Sequence, residues 1–313
     1  MSTRTKVRAL AAAAAAGYLL WSSTRPRATK PPGPATNPLV AARPYRIKAP
    51  ATIDPRKNYP LVIVLHGLGG RGEKVESYYQ LDPLVDELGF LAVYPDGTEE
   101  TQSRHLWSGR RRFWNATEAC CDFFNSGVDD VAYLDAVIDD VNARYHVDPK
   151  RVFVMGLSNG GYMSYRYACD RAERVAAIAS QAGAMWLDAT RCKPSEPVAV
   201  LELHGTNDER VPYEGIAQPG PYVVPIPSAH QSVAAWVAFD KCGTKPDMSS
   251  PPLDLLEREL GSNVPDAETV IEKWSGCRGV ELWTMRGAPH VPHPNQPLWA
   301  RTIYGWLAAH PKP

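Results

Sequence analysis

The sequence predicts an α/β fold: a single domain with a mostly parallel central sheet and helices on both faces. Short apolar runs of strand length alternate with amphipathic segments along the chain, which is the pattern of this class. Residues 61–65 are apolar without interruption, as is typical of a parallel strand covered on both sides. A second such run, residues 152–155, leads directly into a glycine-rich turn and then a helical pattern. Together these features predict one folded domain over residues 44–313.

The individual elements follow from periodicity and turn residues. Alternating or continuous apolar patterns predict strands over residues 45–48, 61–65, 90–94, 152–155, 175–180, 198–203, 270–274 and 280–284. Apolar residues at helical spacing predict helices over residues 78–88, 129–145, 162–169, 228–239 and 299–309. Asp129 and Asp130 begin the second helix, where carboxylates suit the helix dipole. We therefore interpret them as capping residues rather than as an acid/base pair.

Composition excludes one class of partner. The chain has 313 residues, no net charge and 44% hydrophobic residues, which is enough to build a substantial core. The sequence shows no concentrated basic face, so nucleic acid is not expected as the main partner. We also expect no cofactor, no metal and a monomeric protein.

The N-terminus predicts export. Residues 1–24 contain Arg4, Lys6 and Arg8, followed by an uncharged apolar stretch, as in a signal peptide. The stretch is short for a membrane span of about 20 residues, so it is either a cleaved signal peptide or a retained N-terminal signal anchor. Residues 25–43, rich in Pro, Ala and Arg, predict a linker. We expect a secreted or extracytoplasmic protein that meets a membrane only through such an anchor.

Ser158 lies at the centre of a Gly-x-Ser-x-Gly pattern. A serine hydroxyl is a poor nucleophile, so it must be exposed where a base can reach it. A sharp turn between a strand and a helix achieves that exposure. Such a turn brings the chain close to itself at Gly156 and Gly160, where a side chain would clash. The pattern therefore predicts Ser158 as a catalytic nucleophile.

A glycine-rich loop, residues 66–70, follows the strand over residues 61–65. Backbone N–H groups of such a loop, with the N–H after the nucleophile, form the oxyanion hole in enzymes of this kind. We predict the N–H groups of Leu68 and Asn159 as the donors, with Gly69 as the alternative to Leu68. We interpret His66 as a structural hydrogen-bonding residue rather than a base.

An acid and a base follow the nucleophile in the order required by a Ser-Asp-His triad. Asp208 lies on a loop just past the strand over residues 198–203, with Glu209 as its alternative. A carboxylate there would hold one imidazole tautomer and stabilise the imidazolium. His290 is the predicted base, and His293 is the alternative. This order, in a strand and helix alternation, predicts the α/β-hydrolase sheet.

Residues 98–128 form a long irregular stretch, which in a compact domain is usually functional or cross-linked. It contains five large aromatic residues: Trp107, Phe113, Trp114, Phe123 and Phe124. These either line a substrate cleft or cover a side core, and the sequence does not favour one reading. We interpret residues 110–112, three consecutive arginines, as solvated charge rather than an anion site.

The cysteines predict disulfides. The chain has six, at positions Cys120, Cys121, Cys169, Cys192, Cys242 and Cys277, with neither a CxxC pair nor zinc-ligand spacing. An even number behind an export signal favours three disulfides over reduced thiols. The residues themselves leave the connectivity open.

Several of these motifs together resemble a known family. They are the loop over residues 66–70, Tyr-Pro-Asp-Gly at 94–97, the cysteine pair before Val-Asp-Asp-Val at 128–131, the elbow at 156–163 and His-Gly-Thr-Asn-Asp at 204–208. The combination resembles the secreted poly(3-hydroxybutyrate) depolymerase and feruloyl esterase family, within the carbohydrate esterase family one type of α/β-hydrolase. The resemblance extends over residues 45–309, the whole predicted domain.

The resemblance implies a carboxylic-ester hydrolase with Ser158, Asp208 and His290 as the triad. It also implies a disulfide between Cys242 and Cys277, and one from Cys120 or Cys121 to Cys169. Members of this family usually carry a Gly-His-x-Trp-Pro-like segment around the base. This chain instead has Pro-His-Val-Pro-His over residues 289–293.

The predicted activity is ester hydrolysis through an acyl-enzyme, with polyhydroxyalkanoate, feruloyl and acetyl esters as candidate substrates. The sequence shows no separate substrate-binding domain or Ser/Thr-rich linker, which favours small or oligomeric esters. A serine peptidase of the prolyl-oligopeptidase kind is one alternative, although no propeller-like repeats are present. A non-catalytic polysaccharide- or polymer-binding homologue is another, and the filled triad positions argue against it.

Overall fold

The structure is a computed structural model that describes residues 37–101, 111–218, 224–258 and 264–313. The predicted signal segment, most of the predicted linker, Trp107 and Arg110 lie outside these ranges. No helix in these ranges has both the length and the apolar character that a membrane crossing needs.

Eight of the strands form one sheet. In chain order the strands are β1 (Arg46–Lys48), β2 (Tyr59–Leu65), β3 (Leu91–Tyr94), β4 (Thr98–Glu99), β5 (Arg112–Phe113), β6 (Val147–Leu157), β7 (Ala177–Gln181), β8 (Ala199–Gly205), β9 (Thr269–Trp274) and β10 (Val280–Met285). The sheet has the order β1-β3-β2-β6-β7-β8-β10-β9, while β4 and β5 pair antiparallel in a separate two-stranded sheet. The inner strands are parallel, and β1 and β9 run antiparallel at the edges. The predicted α/β class is confirmed.

Helices cover both faces of this sheet. They are α1 (Pro38–Ala42), α2 (Gly72–Tyr79), α3 (Asp82–Leu88), α4 (Asp130–Tyr145), α5 (Asn159–Asp170), α6 (Ala229–Phe239) and α7 (Leu298–Ala308). Strand β2 is buried along its whole length. Its residues Leu61, Ile63 and Leu65 pack into one core cluster, and Val62 and Val64 pack into the other. The apolar run is therefore covered on both sides, as predicted.

Two local features differ from the sequence-based expectations. The single helix predicted over residues 78–88 is two helices, because Gln80 adopts a left-handed conformation (φ 50°) and Pro83 lies in the first turn of α3. Proline has no N–H to continue a preceding helix. Helix α1 lies in the last part of the segment predicted as a linker, where Val40 is buried.

The three disulfides are Cys120–Cys121, Cys169–Cys192 and Cys242–Cys277. The implied Cys242–Cys277 pair is confirmed. The implied pairing of Cys169 with Cys120 or Cys121 is wrong, because Cys169, at the end of α5, bonds to Cys192 and the adjacent cysteines bond to each other. Disulfides between neighbouring cysteines are uncommon, so the sequence favours a disulfide between cysteines that are far apart in the chain.

Candidate active site

Ser158 occupies the turn between β6 and α5 in a left-handed backbone conformation, with φ 58° and ψ −121°. Non-glycine residues rarely adopt this region, and the N–H of Ser158 is held there by the Gln181 carbonyl over 2.7 Å. A Cβ at Gly156 would lie 2.4 Å from the Gly160 backbone, and one at Gly160 would lie 2.2 Å from the Leu65 carbonyl. The predicted need for glycine at both positions is confirmed.

His290 lies between Ser158 and Asp208. Its Nε2 is 2.9 Å from the Ser158 Oγ, and its Nδ1 is 2.7 Å from the Asp208 Oδ2. Because a carboxylate only accepts, Nδ1 carries the proton and Nε2 is free to accept from the serine hydroxyl. The structure thus brings together the three side chains that the sequence nominates. The alternatives Glu209 and His293 are exposed.

These three residues follow strands of the same sheet. Ser158 follows β6, Asp208 follows β8 and His290 follows β10. Because β6, β7, β8 and β10 are successive parallel strands, their carboxyl ends meet at one edge, where open α/β sheets place their sites.

Asp208 is buried, and hydrogen bonds fix both of its carboxylate oxygens. Oδ1 accepts the N–H groups of Arg210 and Val211, each over 2.8 Å, and Oδ2 faces His290. Burial alone would raise the pKa of Asp208, but hydrogen bonds from His204, His290 and Val211 outweigh it and hold the pKa well below its usual range. The carboxylate is therefore ionised and oriented toward His290.

A second histidine lies behind this carboxylate. His204 is buried, with Nδ1 2.9 Å from the Glu202 Oε1, Nε2 2.8 Å from the Val211 carbonyl and the same Nε2 3.5 Å from the Asp208 Oδ2. Burial lowers the pKa of His204, but hydrogen bonds to Asp208 and Glu202 raise it to about 10. Both ring nitrogens therefore carry protons, and His204 is an imidazolium. Sequence reasoning missed this role, because the motif over residues 204–208 does not reveal that Glu202 and the Val211 carbonyl contact the His204 ring.

Leu68, one of the two predicted oxyanion donors, lines the same cleft as Ser158, and Asn159, the other, follows Ser158 in the chain. A Cβ at Gly67 would be 3.3 Å from the Ser158 Cβ, so the loop passes close to the nucleophile. The Gly69 N–H, the alternative donor, already donates to the Arg112 carbonyl over 2.7 Å. It is therefore not free to bind an oxyanion. Among the described residues, neither the Leu68 nor the Asn159 N–H donates to a backbone carbonyl. Asn159 is also the first residue of α5, where N–H groups lack intrahelical partners.

His66 and Asn159 fix the backbone around the site. The His66 Nδ1 donates to the Gly67 carbonyl over 2.8 Å, and the Nε2 accepts the Gly97 N–H over 2.9 Å. Burial lowers the pKa of His66 to about 4, so the ring is neutral near pH 7 and serves as a structural hydrogen-bonding residue, as expected. The Asn159 side chain forms two hydrogen bonds with the Trp114 backbone, of 2.7 and 2.9 Å.

A cleft of about 770 Å³ opens over Ser158. The Cys120–Cys121 pair and Phe123, which is 64% exposed, form part of its wall. Phe113 and Trp114 are instead buried. The sequence left two roles open for the aromatic residues of this segment, lining a substrate cleft or covering a core. The structure shows both, since Phe123 lines the cleft and Phe113 and Trp114 are buried.

The consecutive arginines do not act alike. Arg112 is only 17% exposed at its side chain and pairs with Asp96 and Glu99, each over 3.3 Å. The interpretation of Arg112 as a solvated charge is therefore wrong. Arg111 is exposed and lines the cleft.

Comparison with known proteins supports the fold and the resemblance. Residues 124–200, which include the elbow, match the Prolyl oligopeptidase family. A feruloyl esterase B from Piromyces equi is 26% identical over 81% of this chain. A putative esterase NocK from Nocardia uniformis subsp. tsuyamanensis is 30% identical over 56% of this chain. The matches cover 43% and 48% of those two proteins, so the chain spans about half the length of these relatives.

An acetyl xylan esterase from Aspergillus awamori has a similar structure, with a TM-score of 0.57 and 13% identity over 84% of this chain and 93% of that one. At this identity the likeness concerns the fold, which is that of the α/β-hydrolases. The resemblance to feruloyl esterases expected from the motifs is confirmed by the sequence relatives.

Proposed function

We propose that this chain is a serine carboxylic-ester hydrolase that works through an acyl-enzyme. The observation that carries the proposal is the chain of contacts from Ser158 through His290 to Asp208, of 2.9 and 2.7 Å, at a strained elbow. A nucleophile with an oriented base beside it is the arrangement that acyl transfer requires. The relatives named as esterases support the same activity.

In the proposed mechanism Ser158 Oγ attacks the ester carbonyl while His290 Nε2 takes the hydroxyl proton. The oxygen of the tetrahedral intermediate accepts hydrogen bonds from the N–H groups of Leu68 and Asn159. His290 then gives the proton to the departing alcohol, which leaves an acyl-Ser158 ester. Asp208 holds the Nδ1–H tautomer and stabilises the imidazolium in each transfer.

Water completes the cycle by the reverse sequence. His290 Nε2 takes a proton from a water molecule, whose oxygen attacks the acyl carbon. Collapse of the second tetrahedral intermediate returns the proton to Ser158 Oγ and releases the carboxylic acid. Each step conserves protons among the ester, water and these side chains.

The substrate classes that we propose are feruloyl and acetyl esters. Relatives of this chain are named as a feruloyl esterase and as a bifunctional acetylxylan esterase/xylanase, and the cleft has an apolar wall that suits an acyl or aryl group. Polyhydroxyalkanoate esters stay a prediction from the sequence resemblance alone.

A serine peptidase is the second candidate, because residues 124–200 match the Prolyl oligopeptidase family. That match contains Ser158 but neither Asp208 nor His290. A peptide p-nitroanilide and p-nitrophenyl butyrate, tested on the same preparation, separate the two activities. Faster cleavage of the anilide would favour the peptidase.

The direct test is Ser158→Ala, assayed on p-nitrophenyl butyrate. We expect its turnover to fall by about 10⁴-fold or more, because the attacking oxygen is gone. Ser77→Ala is the matched control, since Ser77 is exposed on α2, outside the residues that line the cleft. Undiminished turnover in folded Ser158→Ala would overturn the proposal. A fluorophosphonate label on Ser158 would in addition exclude a non-catalytic homologue.

We also propose that the protein acts outside the cytoplasm. Three disulfides join all six cysteines, and such bonds persist in oxidising compartments. Fractionation of expressing cells would test this, and recovery in the cytosol alone would contradict it.

A further inference from the structure

Three basic side chains line the cleft over Ser158. They are Lys74 on α2, Arg111 immediately before β5 and Arg210 on the loop of Asp208, and all three are exposed. Among the described residues that line this cleft, none is an aspartate or glutamate. The whole chain has no net charge. The excess of positive charge is therefore a local property of the cleft.

These cations are not used to hold the structure together. Nearby Arg71 and Arg112 both form ion pairs with Asp96. In contrast, Lys74, Arg111 and Arg210 form no ion pair within the described parts of the chain. Their charge is therefore available to a ligand.

The cations come from different sides of the nucleophile. The Arg111 Cγ lies 4.0 Å from the position that a Cβ would take at Gly69, so this arginine lies against the predicted oxyanion loop. The backbone N–H of Arg210 donates to Asp208 Oδ1 over 2.8 Å, so this arginine belongs to the loop that follows β8. Strands β2 and β8 lie on opposite sides of β6 in the sheet, and β6 leads to Ser158. The loops that carry positive charge therefore reach the cleft from both sides of the nucleophile strand.

We propose that the cleft binds esters whose acyl or alcohol part carries a carboxylate. Like charges that converge on a concave site raise the local concentration of an oppositely charged ligand, and guanidinium groups pair with carboxylates through directional hydrogen bonds. The inference rests on the proposed esterase function, because it describes what that site selects.

Two pairs of probes test it, each pair differing only in the carboxylate. For the acyl side they are p-nitrophenyl hemiglutarate and p-nitrophenyl pentanoate. For the alcohol side they are 4-acetoxybenzoate and 4-acetoxybenzamide. We expect wild-type kcat/KM to favour the anionic member of at least one pair by about tenfold at low salt. That preference should decline between ~20 mM and ~500 mM NaCl, as screening weakens exposed charge pairs.

Substitutions then locate the effect. Lys74→Gln, Arg111→Gln and Arg210→Gln should each lower the ratio of anionic to neutral kcat/KM by about threefold to tenfold, which is the range for charged hydrogen bonds with partial solvent screening. Lys245→Gln is the matched control, because Lys245 is exposed but does not line the cleft, and its ratio should not change.

The outcomes distinguish a failure of the carboxylate inference from a failure of the proposed esterase function. If wild-type protein hydrolyses the neutral esters but shows no anionic preference in either pair, the carboxylate inference is wrong and the esterase proposal stands. A preference that survives in all three cleft variants would also overturn the inference. If wild-type protein hydrolyses none of the four esters, the proposed function itself is wrong.

Discussion

His204 donates a hydrogen bond from Nδ1 to the Glu202 Oε1 over 2.9 Å, and this buried pair lies directly behind the carboxylate of Asp208. The ionised Asp208 thus has a histidine on each side, since His290 faces the nucleophile and His204 faces the interior. A buried carboxylate needs such partners to remain charged. The interior pair therefore helps to hold the acid of the proposed triad in its working state.

His204 should make the folded protein less stable as pH rises into the alkaline range. Hydrogen bonds to Asp208 and Glu202 raise the pKa of His204 to about 10, whereas an unfolded histidine titrates near about 6.5. This contribution to stability is complete below the unfolded pKa and is lost as pH rises toward the folded pKa. We expect the Tm of the wild type to fall between about pH 7 and about pH 10, and His204→Gln to flatten part of that decline.

Thermal unfolding followed by circular dichroism across this pH range makes the measurement. His230→Gln is the control, since His230 is exposed, with its ring 3.0 Å from Glu272. An identical alkaline slope in His204→Gln and the wild type would contradict the protonated state of His204.

Asp208→Asn should abolish most activity on p-nitrophenyl butyrate without unfolding the protein. The amide keeps the shape of the side chain but cannot stabilise the His290 imidazolium. A fall in kcat of about 10³–10⁴-fold is the expected size for such a change. The adjacent Glu209 is exposed, so Glu209→Gln should retain wild-type kcat. A larger effect at Glu209 than at Asp208 would reassign the acid.

Gly160→Ala should be strongly destabilising. Its Cβ would lie 2.2 Å from the Leu65 carbonyl, so β2 and the elbow would have to move apart, at a cost of about 3 kcal/mol or more. Gly305→Ala provides the contrast, because nothing lies within 4 Å of a Cβ there. Since Gly305 is within α7, alanine should stabilise by roughly 0.5–1 kcal/mol. Urea denaturation of both variants measures the difference, and equal stability would contradict the close approach.

Removal of the Cys169–Cys192 disulfide should lower stability, whereas removal of the Cys120–Cys121 disulfide should change substrate binding. Cys169–Cys192 spans 23 residues, so replacing both cysteines with serine should cost about 3 kcal/mol through unfolded-chain entropy. Cys120–Cys121 closes almost no loop, so its double serine variant should change Tm little. Because that pair lines the cleft, we expect its loss to change KM instead. A larger Tm loss for the adjacent pair would contradict this assignment of roles.

The strands and the site residues could be predicted from sequence because their signals are local. A buried parallel strand such as β2 is apolar at every position, and the elbow around Ser158 requires glycine at fixed spacing. The position of Asp208 and His290 after later strands follows from the same alternation. For these residues, the sequence pattern follows directly from the burial of the strand or the tightness of the turn.

The features that sequence reasoning missed depend on contacts between distant residues. The two hydrogen bonds between the Asn159 side chain and the Trp114 backbone, here called the Asn159 clamp, join residues 45 positions apart. The partner of Cys169 is Cys192, which the chain brings next to it only after β7. The charge of His204 arises only because Glu202, Val211 and Asp208 surround it. Composition and periodicity contain no information on such contacts between residues that are distant in the sequence.

The Asn159 clamp also has a practical consequence for protein engineering. It fastens the Trp114 backbone to the first residue of α5, while the Trp114 indole donates to the His66 carbonyl over 2.9 Å. The segment beyond this anchor, residues 115–128, includes the cleft-lining cysteines and Phe123. We therefore expect randomised libraries confined to the cleft-lining residues of that segment to change substrate preference while the nucleophile and its helix keep their anchor.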